Sequence, residues 1–181
     1  VSQGTVRKAI TELVENNVLI CKQGRGTFVS THDNNRALFH FFQISDNDGH
    51  KVLPDSAVLS CKRGKANRYE ASKLNLTRED RVIRIERIRK INSKPTILET
   101  VVLPEQRFTD LGKNNDCKLP NMLYELYEKQ FGITIHSAEE QIRAVNANQQ
   151  QADALGLDQG AALLLIERVA LTLDRIPVEL R

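Results

Sequence analysis

Val82-Ile-Arg-Ile-Glu-Arg-Ile-Arg-Lys-Ile91, joined through Asn92-Ser-Lys-Pro95 to Thr96-Ile-Leu-Glu-Thr-Val-Val-Leu103, is the stretch that decides the fold. Isoleucine and valine dominate both runs, and the segment between them contains a proline, so the pair reads as a β-hairpin. Along the first run the odd positions are Ile83, Ile85, Arg87, Arg89 and Ile91, which places two guanidinium groups on the apolar face. A buried charge without a partner costs several kcal/mol, so each arginine needs an anion there. Glu99 is one candidate. A three-residue loop would set Glu99 opposite Arg89 on the same face, whereas a two-residue loop would put it on the other. Two readings stay open: an Arg–Glu pair closing the sheet edge, or an anion-binding pocket that uses the planar fork of arginine.

Working outward, Ala57 to Cys61 reads as a strand and Ala66 to Leu74 as a short helix. Leu119 to Phe131 reads as a helix, Ile133 to Ala147 as a long strand and Gln149 to Leu155 as another helix. Leu163 to Leu173, with Ile176 onward, forms a second hairpin about Asp174-Arg175. Hairpins with few crossover helices favour an antiparallel sheet and an α+β class. Two stretches echo each other 81 residues apart: Ala71-x-x-Leu74-x-Leu76 with Ile85-Glu-Arg87, and Ala152-x-x-Leu155-x-Leu157 with Ile166-Glu-Arg168. Each is followed by a hairpin with a proline (Pro95, Pro177) and then a glutamate (Glu99, Glu179). This shared order points to an internal duplication whose halves bury a common core.

The opening segment is of another kind. Ser2 is a good N-cap, and Val6, Ala9, Ile10, Leu13 and Val14 form the apolar stripe of a helix that Asn16-Asn17 ends. Val18 to Cys21, the turn Gln23-Gly-Arg-Gly26 and Thr27 to Val29 then make a small hairpin. The net charge of the 181 residues is only +3, and residues 1–30 carry two of those charges. Any footprint on nucleic acid is therefore local. Three widely spaced cysteines, Cys21, Cys61 and Cys117, argue against a disulfide framework or zinc site and favour a reduced, cytoplasmic setting. No apolar run reaches membrane-spanning length.

The string VSQGTVRKAITELVENNVLICKQGRGTFVS resembles the recognition helix and wing of the winged helix-turn-helix in GntR-family bacterial transcription regulators. The resemblance implies that Ser2, Gln3, Thr5 and Arg7 enter the major groove of operator DNA. Gln23, Gly24 and Arg25 of the wing would approach the minor groove or the backbone. It also implies that the first two helices of the module lie outside this sequence, and that residues 1–31 are the C-terminal part of the DNA-binding domain.

Residues 36–181, opening on the aromatic patch Phe39, His40, Phe41 and Phe42, look like the UTRA ligand-sensing domain of the HutC subgroup. The segments that carry this are RIERIRKINSKPTILETVVLP, MLYELYEKQFGITIHSAEEQIRAVNA, ADALGLDQGAALLLIERVA and IPVE. The fold implied is an antiparallel sheet of chorismate-lyase type, and the family's last strand would follow Arg181. In sugar-phosphate-sensing members the matching positions contact the effector, and here they are Arg87, Arg89, Glu99, Tyr124 and Glu179. The family's serine at the start of the following helix is Met122 in this chain, which argues for an effector other than an amino-sugar phosphate.

His32, His40, His50 and His136 lack metal-ligand or triad spacing, and no phosphate-binding loop or hydrolase motif occurs. No metal, cofactor or catalytic residue is expected. The expected function is that of a homodimeric, ligand-responsive transcription regulator, a repressor, sensing a small anionic metabolite. An enzyme of chorismate-lyase type is the rival reading.

Overall fold

A computed structural model describes residues 1–15, 18–29, 49, 52–112 and 119–181. Expectations that fall on Asn16-Asn17, the aromatic patch, Cys117, His32, His40 and His50 lie outside the described residues.

In the N-terminal segment α1 (Gln3–Glu15) leads into β1 (Leu19–Lys22) and β2 (Gly26–Val29). Ser2 caps α1 as its spacing predicts: its Oγ accepts from Thr5 N at 3.2 Å. The two short strands pair antiparallel with Lys22 opposite Gly26. The left-handed φ of 74° at Gly24 and 107° at Gly26 explains the glycines of that turn. Val6 and Leu13 of the apolar stripe are exposed.

The rest forms β3 (Asp55–Lys65), α2 (Arg68–Leu74), β4 (Arg81–Ile91), β5 (Lys94–Pro104), α3 (Leu123–Phe131), β6 (Ser137–Asn146), α4 (Gln149–Leu155), β7 (Ala162–Leu171) and β8 (Pro177–Leu180). The six strands make one sheet in the order β3-β4-β5-β8-β7-β6, with every neighbouring pair antiparallel. Several elements differ in extent from their sequence reading. β3 is longer, α3 starts at Leu123 rather than Leu119, and β6 starts at Ser137 rather than Ile133.

The sheet order exposes the duplication. β3, β4 and β5 run from one edge to the centre, and β6, β7 and β8 mirror them from the other edge. Both short helices begin with a capping box, Asn67 with Glu70 and Asn148 with Gln151, and both end on a left-handed residue, Asn75 or Gly156. Each half places its helix against the other half's central strand, α2 on β8 and α4 on β5. The glutamates, however, are not equivalents. Glu99 pairs with Arg87, whereas the counterpart of Arg87, Arg168, exchanges backbone hydrogen bonds with Arg181.

The β4–β5 turn has two residues, Asn92 and Ser93, at φ 50° and 65°. By itself that turn would send Glu99 to the far face. A bulge restores the face: Lys90 pairs with Pro95 but Arg89 with Ile97, so Thr96 is extra and Glu99 comes to lie opposite Arg87. Neither loop alternative foresaw this, because both assumed an unbroken ladder. Cys61 is disulfide-bonded, which corrects the expectation of reduced cysteines; Cys21 is free and exposed. Wide spacing in sequence says nothing about sulfur proximity across a fold.

Candidate functional site

One face of the sheet carries the main core, in which Ile83, Ile85, Val101 and Leu103 pack with Phe108, Leu123, Tyr124 and Tyr127. The edge-to-face contact of Phe108 with Tyr127, at 4.8 Å between ring centroids, belongs to this layer. At the α3 end of the same face the alternation of β4 turns from isoleucine to arginine. Arg87 and Arg89 are fully buried there, with Glu99 and Glu179 buried beside them.

Arg87 Nε donates to Glu99 Oε1 at 2.7 Å, and its Nη1 donates to the Pro120 carbonyl at 3.3 Å. Arg89 Nη2 donates to the Asn121 Oδ1 at 3.1 Å and to the Pro54 carbonyl at 3.4 Å. Asn121 is fixed in turn, accepting from Ser56 Oγ at 2.6 Å and donating to Pro54 O at 2.8 Å. Glu99 also lies 3.6 Å from Arg181 Nη1, and Arg181 Nη2 donates to Glu179 Oε2 at 2.9 Å. Glu179 accepts from Tyr127 at 2.6 Å and Tyr124 at 3.2 Å, and the Arg181 guanidinium lies 5.4 Å from the Tyr124 ring centre.

The five effector residues expected from sequence therefore meet in one network. An Arg–Glu pair does form, but between interior strands rather than at the sheet edge. Arg181, Tyr127, Asn121 and Ser56 were missed. Arg181 had no periodic pattern to mark it, and Asn121 precedes a helix whose start had been set too early.

Burial works to raise the pKa of Glu99, but Arg181, Arg87 and Arg89 outweigh it and hold the carboxyl below its usual value. Burial, with Arg87 and Arg181 nearby, pushes Arg89 down to about 10. For Tyr124, burial and then Glu179 raise the phenol. Arg87, Arg89 and Arg181 outnumber Glu99 and Glu179 by one positive charge, and Arg181 Nε is buried without a hydrogen-bond partner. α3 begins beside them with Met122 at the N-cap, which offers no side-chain cap to the first-turn N–H groups. The chemistry on offer is the binding of an anion. Among the described residues no group of three potential metal ligands occurs.

The residues expected to face DNA lie elsewhere. Ser2, Gln3, Thr5, Arg7, Gln23, Gly24 and Arg25 are all exposed, on the start of α1 and the β1–β2 turn. Ser2 Oγ and Thr5 Oγ1 are 2.9 Å apart, so the cap occupies part of their hydrogen-bonding capacity. Gln3, Arg7 and Arg25 make no such cap contacts and offer long polar side chains. No helix among the described residues is long and apolar enough to cross a membrane.

Comparison with known proteins agrees with this architecture. The UTRA domain model matches residues 49–181. The HTH-type transcriptional repressor NagR of Bacillus subtilis is 28% identical over 169 residues, spanning 93% of this chain and 68% of its own. The uncharacterised HTH-type regulator YurK of the same species is 30% identical over 183 residues, spanning 98% and 73%. The crystal structure of a GntR-family regulator from Enterococcus faecalis superposes with a TM-score of 0.62 at 28% identity, covering 70% of this chain and 88% of that one. The sheet, the buried site and these relatives together show that the chain belongs to the GntR family, among its UTRA-domain members, and is a ligand-responsive transcription regulator.

Proposed function

We propose that this regulator is a repressor of the HutC subgroup that acts in the cytoplasm as a homodimer and senses a small phosphorylated or carboxylated metabolite. Residues 36–181 form the sensing and pairing domain, and residues 1–31 belong to the DNA-binding domain. Arg87 and Arg89 hold the anion with the N-terminus of α3, while Glu99, Glu179 and Tyr124 orient the rest of the effector. Gln3 and Arg7, with Ser2 and Thr5 as cap and backbone contacts, read the operator, and Gln23, Gly24 and Arg25 touch its backbone or minor groove. Twofold pairing sets the spacing of two recognition helices, and an effector that favours one arrangement shifts it.

The observation that carries the anion assignment is the excess of three guanidinium groups, Arg87, Arg89 and Arg181, over two carboxylates, Glu99 and Glu179, four of the five being buried, next to a helix start without a side-chain cap. The test is thermal unfolding with sulfate, phosphate and small carboxylates. At a hundredfold its dissociation constant, an anion that binds only the folded state stabilises it by about 2.7 kcal/mol. Arg89→Ala is expected to abolish that gain while the domain stays folded. A parent that no anion stabilises would sink the assignment.

A further inference from the structure

The duplication makes one corner of the buried network anomalous. Counting 81 residues on, Pro54 corresponds to Ile135 and Arg89 to Ala170. In the second half these positions are plain core, with Ile135 and Ala170 buried in the main cluster. In the first half the same corner is polar. Arg89 reaches it from β4, Pro54 presents its carbonyl there, and Ser56, opposite Arg89 in the ladder, presents its hydroxyl. Well-packed apolar side chains commonly stabilise a core as much as a buried charged cluster does, or more. Ile135 and Ala170 show that this fold accepts them, so stability alone does not account for the polar corner.

Asn121 joins the parts of that corner. Its Oδ1 accepts from both Ser56 Oγ, at 2.6 Å, and Arg89 Nη2, at 3.1 Å, while its Nδ2 donates to the Pro54 carbonyl at 2.8 Å. Donors on one side and an acceptor on the other leave the amide a single orientation. Asn121 also immediately precedes Met122, the N-cap of α3. One end of the link is therefore the guanidinium and helix start assigned to the anion. The other end is the start of β3, the first strand of the six-stranded sheet that the chain reaches after residues 1–29.

We infer that Asn121 is a positioning residue that couples anion occupancy at Arg89 to the order of β3 between Asp55 and Val58. This rests on the anion reading above and adds a contact route from the bound anion towards the N-terminal segment. An anion held by Arg89 and the start of α3 restrains both. Asn121 is hydrogen-bonded to the first and next to the second in sequence, so it passes the restraint to Pro54 and Ser56. Without its amide the anion still meets Arg87 and Arg89, but β3 no longer registers it.

The test is amide hydrogen exchange of the intact chain with inorganic phosphate, read beside the melting temperature. In the parent, saturating phosphate is expected to raise the melting temperature and to slow exchange across residues 55–58. Asn121→Ala is expected to bind phosphate about tenfold more weakly, for one lost hydrogen bond to a charged group. At saturation it still gains in melting temperature, while phosphate no longer changes exchange at 55–58. A merely structural role would speed exchange with and without phosphate and leave the phosphate-dependent ratio as in the parent, which overturns the coupling. If Asn121→Ala does not fold, Ser56→Ala decides the matter: at saturating phosphate it is expected to lose most of the phosphate-dependent protection, and full protection there overturns the coupling. A parent that phosphate stabilises without any change at 55–58 also overturns it and leaves the anion site standing. A parent that neither phosphate nor sulfate stabilises overturns both.

Discussion

Arg87 and Glu99 face each other on adjacent strands because Thr96 bulges out of the ladder between their hairpin turn and themselves. Their ion pair is buried, and Arg181 is the only other cation within 4 Å of Glu99 among the described ion pairs. Glu99→Ala leaves Arg87 buried without its carboxylate and is expected to cost about 3–5 kcal/mol in urea unfolding. Arg87→Met combined with Glu99→Leu is expected to recover most of that loss, since an apolar pair carries no desolvation debt. A double variant as unstable as the single one would show that Glu99 serves Arg181 rather than Arg87.

The same carboxylate sets an acid limit. Its pKa is depressed in the folded protein, so its contribution is complete above the ordinary carboxylate range, near pH 4.3, and is lost as pH falls through the lower folded value. Glu99→Gln is expected to melt below the parent at pH 6, with the gap closing as pH drops below 4. A gap that stays constant down to pH 3 would mean that Glu99 carries no depressed pKa.

Ser93 sits at φ 65°, a conformation that glycine adopts without strain. Ser93→Gly removes that strain but loosens the unfolded chain, for a net gain of about 0.5 kcal/mol. A lower melting temperature would contradict the two-residue turn.

Met122 stands at the N-cap of α3 without a side-chain cap. Met122→Ser supplies an acceptor for the first-turn N–H groups and is expected to stabilise by about 1 kcal/mol. The same hydroxyl offers an added hydrogen bond to a bound anion, so anion affinity should rise as well. Unchanged stability would show that the first turn is already satisfied.

For DNA, Arg7→Ala is expected to lower operator affinity more than Lys22→Ala, by on the order of 1–3 kcal/mol for a lost base contact. Arg7 projects from α1, whereas Lys22 lies 5.8 Å from the Phe28 ring centre at the base of the wing. Equal losses in a gel-shift titration at fixed salt would mean that α1 is not the recognition helix.

Much of this architecture was legible where a local pattern carries it. Alternation in β4 set Arg87 and Arg89 on the buried face, and the 81-residue echo foretold a sheet in two halves. That echo extends to Ser56-Ala57 and Asn67, which recur as Ser137-Ala138 and Asn148 and mark the edge strands and the capping boxes. What stayed hidden depends on distant contacts. The Thr96 bulge leaves no trace in composition. Arg181 joins Glu99 only through the β5–β8 pairing, in which Val102 meets Leu180. The run Leu163 to Ile166 has no alternation, so it announced a strand but not its exposed face.

The crossed helices govern how the domain is born. Ala71 and Leu74 of α2 are buried together with Leu180, more than a hundred residues later in the chain. As residues emerge from the ribosome, the first half has two helix-facing valines, Val82 and Val102, and no β8 to complete the floor beneath α2. Its core closes only when Pro177 to Leu180 arrive, so most of the domain waits exposed until β8 is made. Contacts of such long sequence separation fold slowly, and a nascent chain of this kind depends on protection from aggregation during that wait.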